Sequence, residues 1–261
     1  MSRHRRRGVL AVLAAVLSLT TVGAPAQAPP VVAAASDLKF AMDEIAATFG
    51  RQTGNPVQVT YGSSGNFFRQ IVQGAPFELF MSADEDLVFQ LADRKLTVDR
   101  GVQYAIGRIV LFVPKGSPVQ ADAQFADLRR SIADGRLVKF AIANPQHAPY
   151  GRASMEALKS VGLWSAIEPR LVQGENVSQA AQFAVSGSTQ GGIFALSLAQ
   201  APLFSAAGSH VLIPDSLHRP LLQRMVLTRA AGAAARELYA HLRSPAARAV
   251  FKRHGFALPD E

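Results

Sequence analysis

The chain of 261 residues contains no cysteine, and this absence excludes several kinds of chemistry. Disulfide bonds, thiolate nucleophiles and Cys-based metal sites all need a thiol, and a lipid anchor of the bacterial lipoprotein type needs a cysteine at the processing site. Aromatic residues are few, at 8%, whereas 49% of the residues are hydrophobic. A chain of this length and composition folds on its hydrophobic core alone, as one large or two small domains.

Common enzyme signatures are also absent. The nucleophile elbow of serine hydrolases has the pattern G-x-S-x-G, and residues 62–65 (GSSG) are one residue short of it. The six His residues do not form a recognisable Ser, Asp and His order. The sequence has no G-x-x-x-x-G-K-[ST] loop and no dinucleotide fingerprint. We therefore expect a protein that is not an enzyme.

The first 28 residues have the three parts of a secretory signal. An arginine cluster at 3–7 is followed by an apolar stretch at 9–22 and by small residues before a cleavage site after Ala26 or Ala28. An uncleaved membrane anchor is the alternative, but the apolar stretch is short and contains Thr20 and Thr21. Basic residues in this position also allow the twin-arginine route. We predict an exported, periplasmic protein.

The mature chain is only mildly basic. Four of the 27 Lys and Arg residues lie in the predicted signal, which leaves 23 against 19 acidic residues and a net charge of +4. Past residue 30, Lys and Arg do not cluster with aromatic residues into a nucleic-acid footprint. We expect no nucleic-acid partner, whereas a mild positive balance is compatible with an anionic ligand.

From residue 31 onward, apolar runs alternate with helical periodicity, which indicates βαβ units and mostly parallel sheets. Strands are predicted at 31–36, 57–61, 77–83, 139–144, 169–174, 191–196, 210–214 and 224–228, with helices between them. A long apolar run at 105–118 divides the units into two sets, and an Ala-rich helical stretch at about 230–253 ends the chain.

Four turns follow a predicted strand and precede a predicted helix. They contain Ser36, the pair Ser63 and Ser64, Tyr150, and Val177. Helix N-termini present unpaired N–H groups and the positive end of the helix dipole, and ligands of open α/β sheets bind beyond the carboxyl ends of the strands. Each turn is therefore a candidate anion-binding element. Capping of the helix by its own Ser or Asn is the alternative.

Five segments in this order resemble the periplasmic molybdate-binding proteins of ABC transporters: AAASDLKFAMDEIAATF, YGSSGNFFRQIVQGAPFELFMSAD, NPQHAPYGRASMEAL, GENVSQA and SPAARAVFKRHGF. The resemblance covers essentially the whole mature chain. It implies an α/β protein with the two-lobed type II periplasmic binding protein fold, in which each lobe is a mostly parallel sheet flanked by helices. Lobe 1 is expected at 29–107 plus 205–261 and lobe 2 at 108–204, with crossover strands near 105–113 and 195–212.

The resemblance also implies a function. A protein of this family captures molybdate or tungstate between the lobes and delivers it to the membrane permease of an ABC importer, without a cofactor. We expect a monomer that holds molybdenum as the oxyanion, with no direct ligand to the metal.

Ligand residues follow from the same resemblance. The two hydroxyl ligands of the family correspond to Ser36 and Ser64, and its backbone donor corresponds to Val177. The contact in the P-x-G turn corresponds to Tyr150, through its hydroxyl or its N–H group. Many members have a tyrosine in a strand written GIVYG, where this chain has Ala195.

A fully ionised tetrahedral oxyanion has only acceptor oxygens, so its site should offer donors. Ser63 is a secondary candidate, expected to support Ser64. Asp37 is another, because a buried acceptor there would suit the proton of hydrogen phosphate. Its position in a first helical turn instead predicts a carboxylate that faces solvent. His147 and Arg152 are expected at the rim of the site.

A phosphate-, sulfate- or iron-binding protein of the same fold remains the alternative. Ferric iron needs hard anionic ligands, often clustered tyrosines, but the four Tyr residues are widely spaced. A transcriptional effector domain can share the fold too, but it would carry a DNA-binding segment where this chain begins with an export signal.

Overall fold

The structure, a computed structural model, describes residues 28–259. The predicted export signal lies almost entirely outside the described residues. The strands are β1 (Val31–Ala35), β2 (Gln58–Gly62), β3 (Leu79–Ser82), β4 (Val102–Gly107), β5 (Ile109–Pro114), β6 (Phe140–Ala143), β7 (Leu171–Gly174), β8 (Gly192–Ala195), β9 (Gly208–Leu212) and β10 (Leu221–Leu227).

The helices are α1 (Lys39–Thr53), α2 (Ser64–Val72), α3 (Glu85–Asp93), α4 (Ala126–Ala133), α5 (Pro149–Ser160), α6 (Trp164–Ile167), α7 (Val177–Val185), α8 (Leu196–Ala199), α9 (Pro202–Ser205), α10 (Ala233–Leu242) and α11 (Pro245–Arg253). A 3₁₀ turn, Ser36–Leu38, leads directly into α1. Within residues 28–259, none of the helices has the length and apolar character needed to cross a membrane.

Two five-stranded sheets form the two lobes, in the orders β2-β1-β3-β10-β4 and β7-β6-β8-β5-β9. In the first sheet β1 pairs in parallel with β2 and β3, while β10 runs antiparallel to β3 and β4. In the second, β6 pairs in parallel with β7 and β8, while β5 runs antiparallel to β8 and β9. The predicted two-lobed α/β architecture is confirmed. The sheets are mixed rather than mostly parallel, because two of the four strand pairings in each sheet are antiparallel.

The chain crosses between the lobes twice. Arg108 alone separates β4 of the first sheet from β5 of the second. The return lies between β9 and β10, at residues 213–220, because β9 pairs with β5 from Gly208 to Leu212. The predicted end of lobe 2 at residue 204 and the predicted return strand at 195–212 therefore both fall before the observed crossing.

Continuous burial of the central strands explains their apolar sequences. All six residues of β5 are buried, as are the last four of β1. Strands covered by helices on both faces lose the usual alternation of polar and apolar residues, which is why these segments are uniformly apolar. Their carboxyl ends lead into the turns that were singled out from the sequence.

The C-terminal helical stretch differs from the prediction. It is two helices, because Pro245 cannot continue α10 and takes the first position of α11. Ser244 caps the second helix by accepting a hydrogen bond from the Ala247 N–H at 3.2 Å. The predicted helical stretch at about 230–253 is therefore helical but interrupted at residues 243–244.

Candidate functional site

The turns from both lobes meet at a small cavity between the two sheets. It is lined by all six residues proposed from the sequence: Ser36, Asp37, Ser63, Ser64, Tyr150 and Val177. The cavity has a volume of about 10 Å³, which is room for roughly one water molecule. A tetrahedral oxyanion is larger, so the contacts across the cavity must lengthen to admit one.

Ser64 is the first residue of α2, and its side chain is oriented by the neighbouring strand. The hydroxyl oxygen accepts a hydrogen bond from the Ala83 N–H at 3.0 Å, and the residue is 1% exposed. The Ala83 N–H uses a lone pair of the hydroxyl oxygen, so the hydroxyl proton of Ser64 remains available to donate. Ser64 can also offer its own N–H, since the first N–H groups of a helix have no partner within it.

Ser36 connects the lobes. Its hydroxyl donates to Asn176 Oδ1 at 3.1 Å and accepts from the Ser178 N–H at 3.3 Å. Ser178 in turn donates its hydroxyl to the Ser36 carbonyl at 2.8 Å. The proton of the Ser36 hydroxyl is thus used on Asn176, and a bound anion would have to compete for it.

Two further helices begin at the cavity. Val177 is the first residue of α7, and Asn176 caps that helix by accepting from the Gln179 N–H at 3.1 Å. Tyr150 is the second residue of α5, after Pro149. Their backbone N–H groups lie in the first turns of helices and so have no acceptor within the helix. Both residues therefore offer backbone donors to the cavity.

Ser63 bonds to the opposite lobe. Its hydroxyl donates to the His147 carbonyl at 2.5 Å and lies 3.0 Å from His147 Nδ1. The Gly65 N–H donates to the same carbonyl at 3.0 Å. These bonds hold α2 of one lobe against the loop before α5 of the other, so Ser63 contributes to the contact between the lobes.

His147 and Arg152 line an adjacent open cleft of about 340 Å³. Their side chains are only 10% and 15% exposed. Arg152 lies 3.5 Å from Asp84 of the other lobe and 3.2 Å from Glu156 of its own helix. This cleft shares Ala148 and Pro149 with the lining of the cavity.

The position of the Asp37 side chain differs from the prediction. We expected a carboxylate facing solvent, but the residue is 1% exposed and lines the cavity. The 3₁₀ turn directs its side chain inward, where Oδ2 accepts from the Tyr150 hydroxyl at 2.9 Å and from Gln223 Nε2 at 2.6 Å. Oδ1 is buried and has no hydrogen-bond partner. Burial raises the pKa of Asp37 from 3.8 to about 6, although the hydrogen bonds from Gln223 and Tyr150 oppose the increase. The N–H groups of Asp37 and Leu38 oppose it as well, but neither makes a well-aligned hydrogen bond to Oδ1.

The bond to Asp37 bears on the two expectations for Tyr150. In this structure the hydroxyl proton is given to the carboxylate, which leaves the backbone N–H as the free donor of this residue. A Cβ atom on Gly107 would lie 2.3 Å from this hydroxyl oxygen, so a glycine is required where β4 passes Tyr150.

Gln223 and Tyr104 were not among the site residues predicted from the sequence. Gln223 is fully buried in β10, where its Oε1 accepts from the Tyr104 hydroxyl at 2.7 Å. Burial and the Asp37 charge raise the pKa values of Tyr104 and Tyr150. The sequence feature that could have identified Gln223 is its amide group within the largely apolar strand LLQRMVL, because a buried polar group needs a hydrogen-bond partner.

Ala195 occupies the position where many members of the resembled family have a tyrosine. It is the last residue of β8, fully buried, and pairs with Ile109. Two residues later, the Ser197 hydroxyl donates to the Asp37 carbonyl at 2.8 Å. This part of lobe 2 therefore contacts the 3₁₀ turn without offering a hydroxyl at residue 195.

Metal-ion ligands are not grouped in the part of the chain that the structure describes. Residues 28–259 contain no set of three or more His, Cys, Asp or Glu side chains arranged to hold a metal ion. The groups that line the cavity are hydroxyls, backbone N–H groups and one carboxylate.

Comparison with known proteins agrees with this arrangement. Residues 30–257 match the family described as bacterial extracellular solute-binding protein. The chain belongs to this family. The molybdate-binding protein ModA of Rhodobacter capsulatus is 35% identical over 236 residues, which are 89% of this chain and 90% of that protein. The ModA of Azotobacter vinelandii is 34% identical over 261 residues, 99% of this chain and all of that protein.

A solved structure gives the same result. The periplasmic molybdate-binding protein of Azotobacter vinelandii has a TM-score of 0.79 and 32% identity, and the match covers 88% of this chain and 100% of that structure. The resemblance to the periplasmic molybdate-binding proteins and the predicted fold are confirmed.

Proposed function

We propose that this chain is the extracytoplasmic solute-binding component of a molybdate importer of the ABC type. The observation that carries the proposal is the cavity between the lobes, where helix N-termini from both lobes converge with their unpaired N–H groups. Such termini suit an anion. Similarity to molybdate-binding proteins over nearly the full chain supports this choice of anion.

Each lobe supplies part of the donor set. From the first lobe, Ser64 donates its hydroxyl and N–H, and Ser36 donates after its bond to Asn176 lengthens. From the second, Tyr150 and Val177 donate backbone N–H groups. Hydrogen bonds to a charged group contribute about 1.5–3 kcal/mol each, so four or five of them hold a dianion without a counter-charge. Molybdenum itself is held only through its oxygen atoms.

Binding proceeds by closure of the lobes about the two crossings at Arg108 and at 213–220. The cross-lobe bonds from Ser63 and Gly65 to the His147 carbonyl support closure as the ligand-bound arrangement. The closed monomer, resident in the periplasm after removal of its signal, then delivers the anion to a membrane permease. No chemical step is involved, and tungstate, which has the same charge and shape, is bound too.

Calorimetry tests this function. We expect the mature protein to release or absorb heat on titration with molybdate and tungstate, with much weaker binding of sulfate, phosphate and ferric citrate. Tight binding of one of the last three, with no heat from molybdate, would refute the proposal.

Hydrogen phosphate is a second candidate ligand, and Asp37 is the observation that favours it. The unpartnered Oδ1 is an acceptor that a monoprotonated oxyanion can use, whereas fully ionised sulfate cannot. The phosphate titration therefore separates the two candidates, because a phosphate-binding protein would prefer phosphate to molybdate at neutral pH.

Ser64→Ala is expected to weaken molybdate binding by about 1–3 kcal/mol, because a ligand oxygen loses its donor. The same change leaves the Ala83 N–H unpaired and lowers the free energy of unfolding. Both quantities are measured, by calorimetry and by urea unfolding, and affinity is compared under conditions where the variant is folded. Ser160→Ala, at an exposed position of α5, is the control and should change neither. Unchanged affinity in Ser64→Ala would limit Ser64 to a structural role.

A further inference from the structure

We propose that the binding of each molybdate ion takes up one proton from solvent, held between Asp37 Oδ1 and an oxygen atom of the anion. The inference rests on the proposed function and adds to it a dependence on pH. It makes Asp37 a ligand-contacting residue, in addition to its contacts with Tyr150 and Gln223.

The geometry around Asp37 leads to this inference. One carboxylate oxygen, Oδ2, is fully used by Tyr150 and Gln223. The other, Oδ1, is buried without a partner in a residue that is 1% exposed and lines the cavity. A buried polar atom without a partner is rare in a folded protein and calls for an explanation. Because Asp37 lines the cavity, an anion bound there is the group proposed to meet this atom.

Two acceptors in contact require a proton between them. An ionised carboxylate and an oxygen of a dianion repel each other and share no hydrogen bond. One proton on Oδ1 removes a negative charge and converts the repulsion into a charge-assisted hydrogen bond. The proton comes from water, and no other bond is made or broken.

The surroundings of Asp37 provide no cation that could replace the proton. Tyr104 of β4 and Tyr150 of α5 face it as neutral phenols, and α7 and α8 contain no titratable side chain. The charged and titratable side chains on the other adjoining segments have other partners or lie at the surface: Lys39, Asp43, Glu44 and Arg51 on α1, Tyr61 on β2, Arg108 at the crossing, Arg152, Glu156 and Lys159 on α5, and Arg224 on β10.

The pKa of Asp37 sets the pH range. In the closed arrangement without the anion it is about 6, because the second lobe helps to bury the carboxyl group. Opening of the lobes exposes Asp37 and lowers its pKa toward 3.8, whereas a bound dianion raises it above 6. Binding is therefore coupled to proton uptake above pH 6, where the free protein is ionised at Asp37 and the complex is protonated. The sign follows from linkage: because the complex binds more protons than the free protein, raising the pH weakens binding. Affinity should fall roughly fiftyfold between pH 6 and pH 8.

Titration calorimetry of the mature protein with sodium molybdate measures the coupling directly. At pH 8, the difference in heat between Tris and HEPES buffers gives the number of protons taken up, and we expect one per molybdate. Asp37→Asn has the same shape but cannot titrate, and its amide group can donate to the anion. We expect this variant to take up no proton and to bind equally at pH 6 and pH 8.

Asp43→Asn is the matched control, because Asp43 is a half-exposed carboxylate on the helix that follows the same turn. It should keep the uptake of one proton and the wild-type dependence on pH. Wild-type protein that binds molybdate equally at pH 6 and pH 8 without proton uptake would overturn the inference, as would proton uptake that persists in Asp37→Asn. Failure of the proposed function looks different: neither wild type nor Asp37→Asn would bind molybdate at either pH.

Discussion

Gly65→Ala is expected to lower molybdate affinity about a hundredfold while each lobe keeps its fold. A Cβ atom at residue 65 would lie 2.5 Å from the His147 carbonyl oxygen and 3.0 Å from the His147 Cα. Both are backbone atoms of the opposite lobe, so the clash arises only when the lobes are closed. Overpacking of this kind costs about 1–3 kcal/mol, and the upper value corresponds to roughly a hundredfold in affinity.

The measurement combines calorimetry with small-angle X-ray scattering. Wild-type protein should become more compact when molybdate is added, whereas Gly65→Ala should remain extended. Gly50→Ala is the control, because a Cβ atom there would meet its nearest neighbour at 3.6 Å, an ordinary contact, and the site lies in α1 of the same lobe. If Gly65→Ala binds and closes like wild type, the bond from Gly65 to His147 is not part of the ligand-bound state.

The sequence predicted the fold because the central strands are buried on both faces. Segments such as residues 31–35 (VVAAA) are uniformly apolar, and their alternation with amphipathic helices identifies βαβ units without any tertiary information. The return crossing was harder to predict. Strand β9 is half-exposed, and its sequence does not tell whether it pairs with β5 or with the first sheet.

The helix N-termini of the site were predicted from the sequence, whereas the buried hydrogen bonds of Asp37 were not. Turns at the ends of strands identify Ser64 and Val177, since a helix N-terminus is a local feature of the chain. The position of Asp37 is decided by partners far along the chain, Tyr150 and Gln223, which are 113 and 186 residues away. A preference for solvent at the first turn of a helix holds for isolated helices, and here tertiary contacts override it.

The contacts between lobes were also out of reach. Ser36 and Asn176 are 140 residues apart, and Ser63 and His147 are 84 apart. The two serines and Asn176 can each serve as a local helix cap, and sequence alone favours that role. Only the closed arrangement of the two sheets shows that Ser36 and Ser63 bond across the cavity.

Asp37→Asn is expected to raise the free energy of unfolding at pH 8 in the absence of any anion by up to about 3 kcal/mol, the full value applying to the closed arrangement. The pKa of Asp37 is raised by burial from 3.8 to about 6. Folded protein therefore binds this proton more tightly than unfolded protein does, so the contribution of Asp37 to stability falls as the pH rises from about 4 to 6 and is lowest above pH 6. Asparagine removes the cost of burying the charge and keeps an oxygen that accepts from Tyr150 and Gln223.

Urea unfolding of wild type, Asp37→Asn and Asp43→Asn at pH 4, 5, 6 and 8 checks this prediction. The difference between Asp37→Asn and wild type should grow from near zero at pH 4 to its full value at pH 8, whereas Asp43→Asn should not reproduce that growth. A difference that stays constant across the range would show that Asp37 does not titrate near pH 6 in the folded protein. A confirmed gain would mean that the wild type carries an unfavourable buried charge at neutral pH, and that the protonated complex with the anion removes it. The same carboxyl group would then destabilise the closed protein until the anion and its proton are bound.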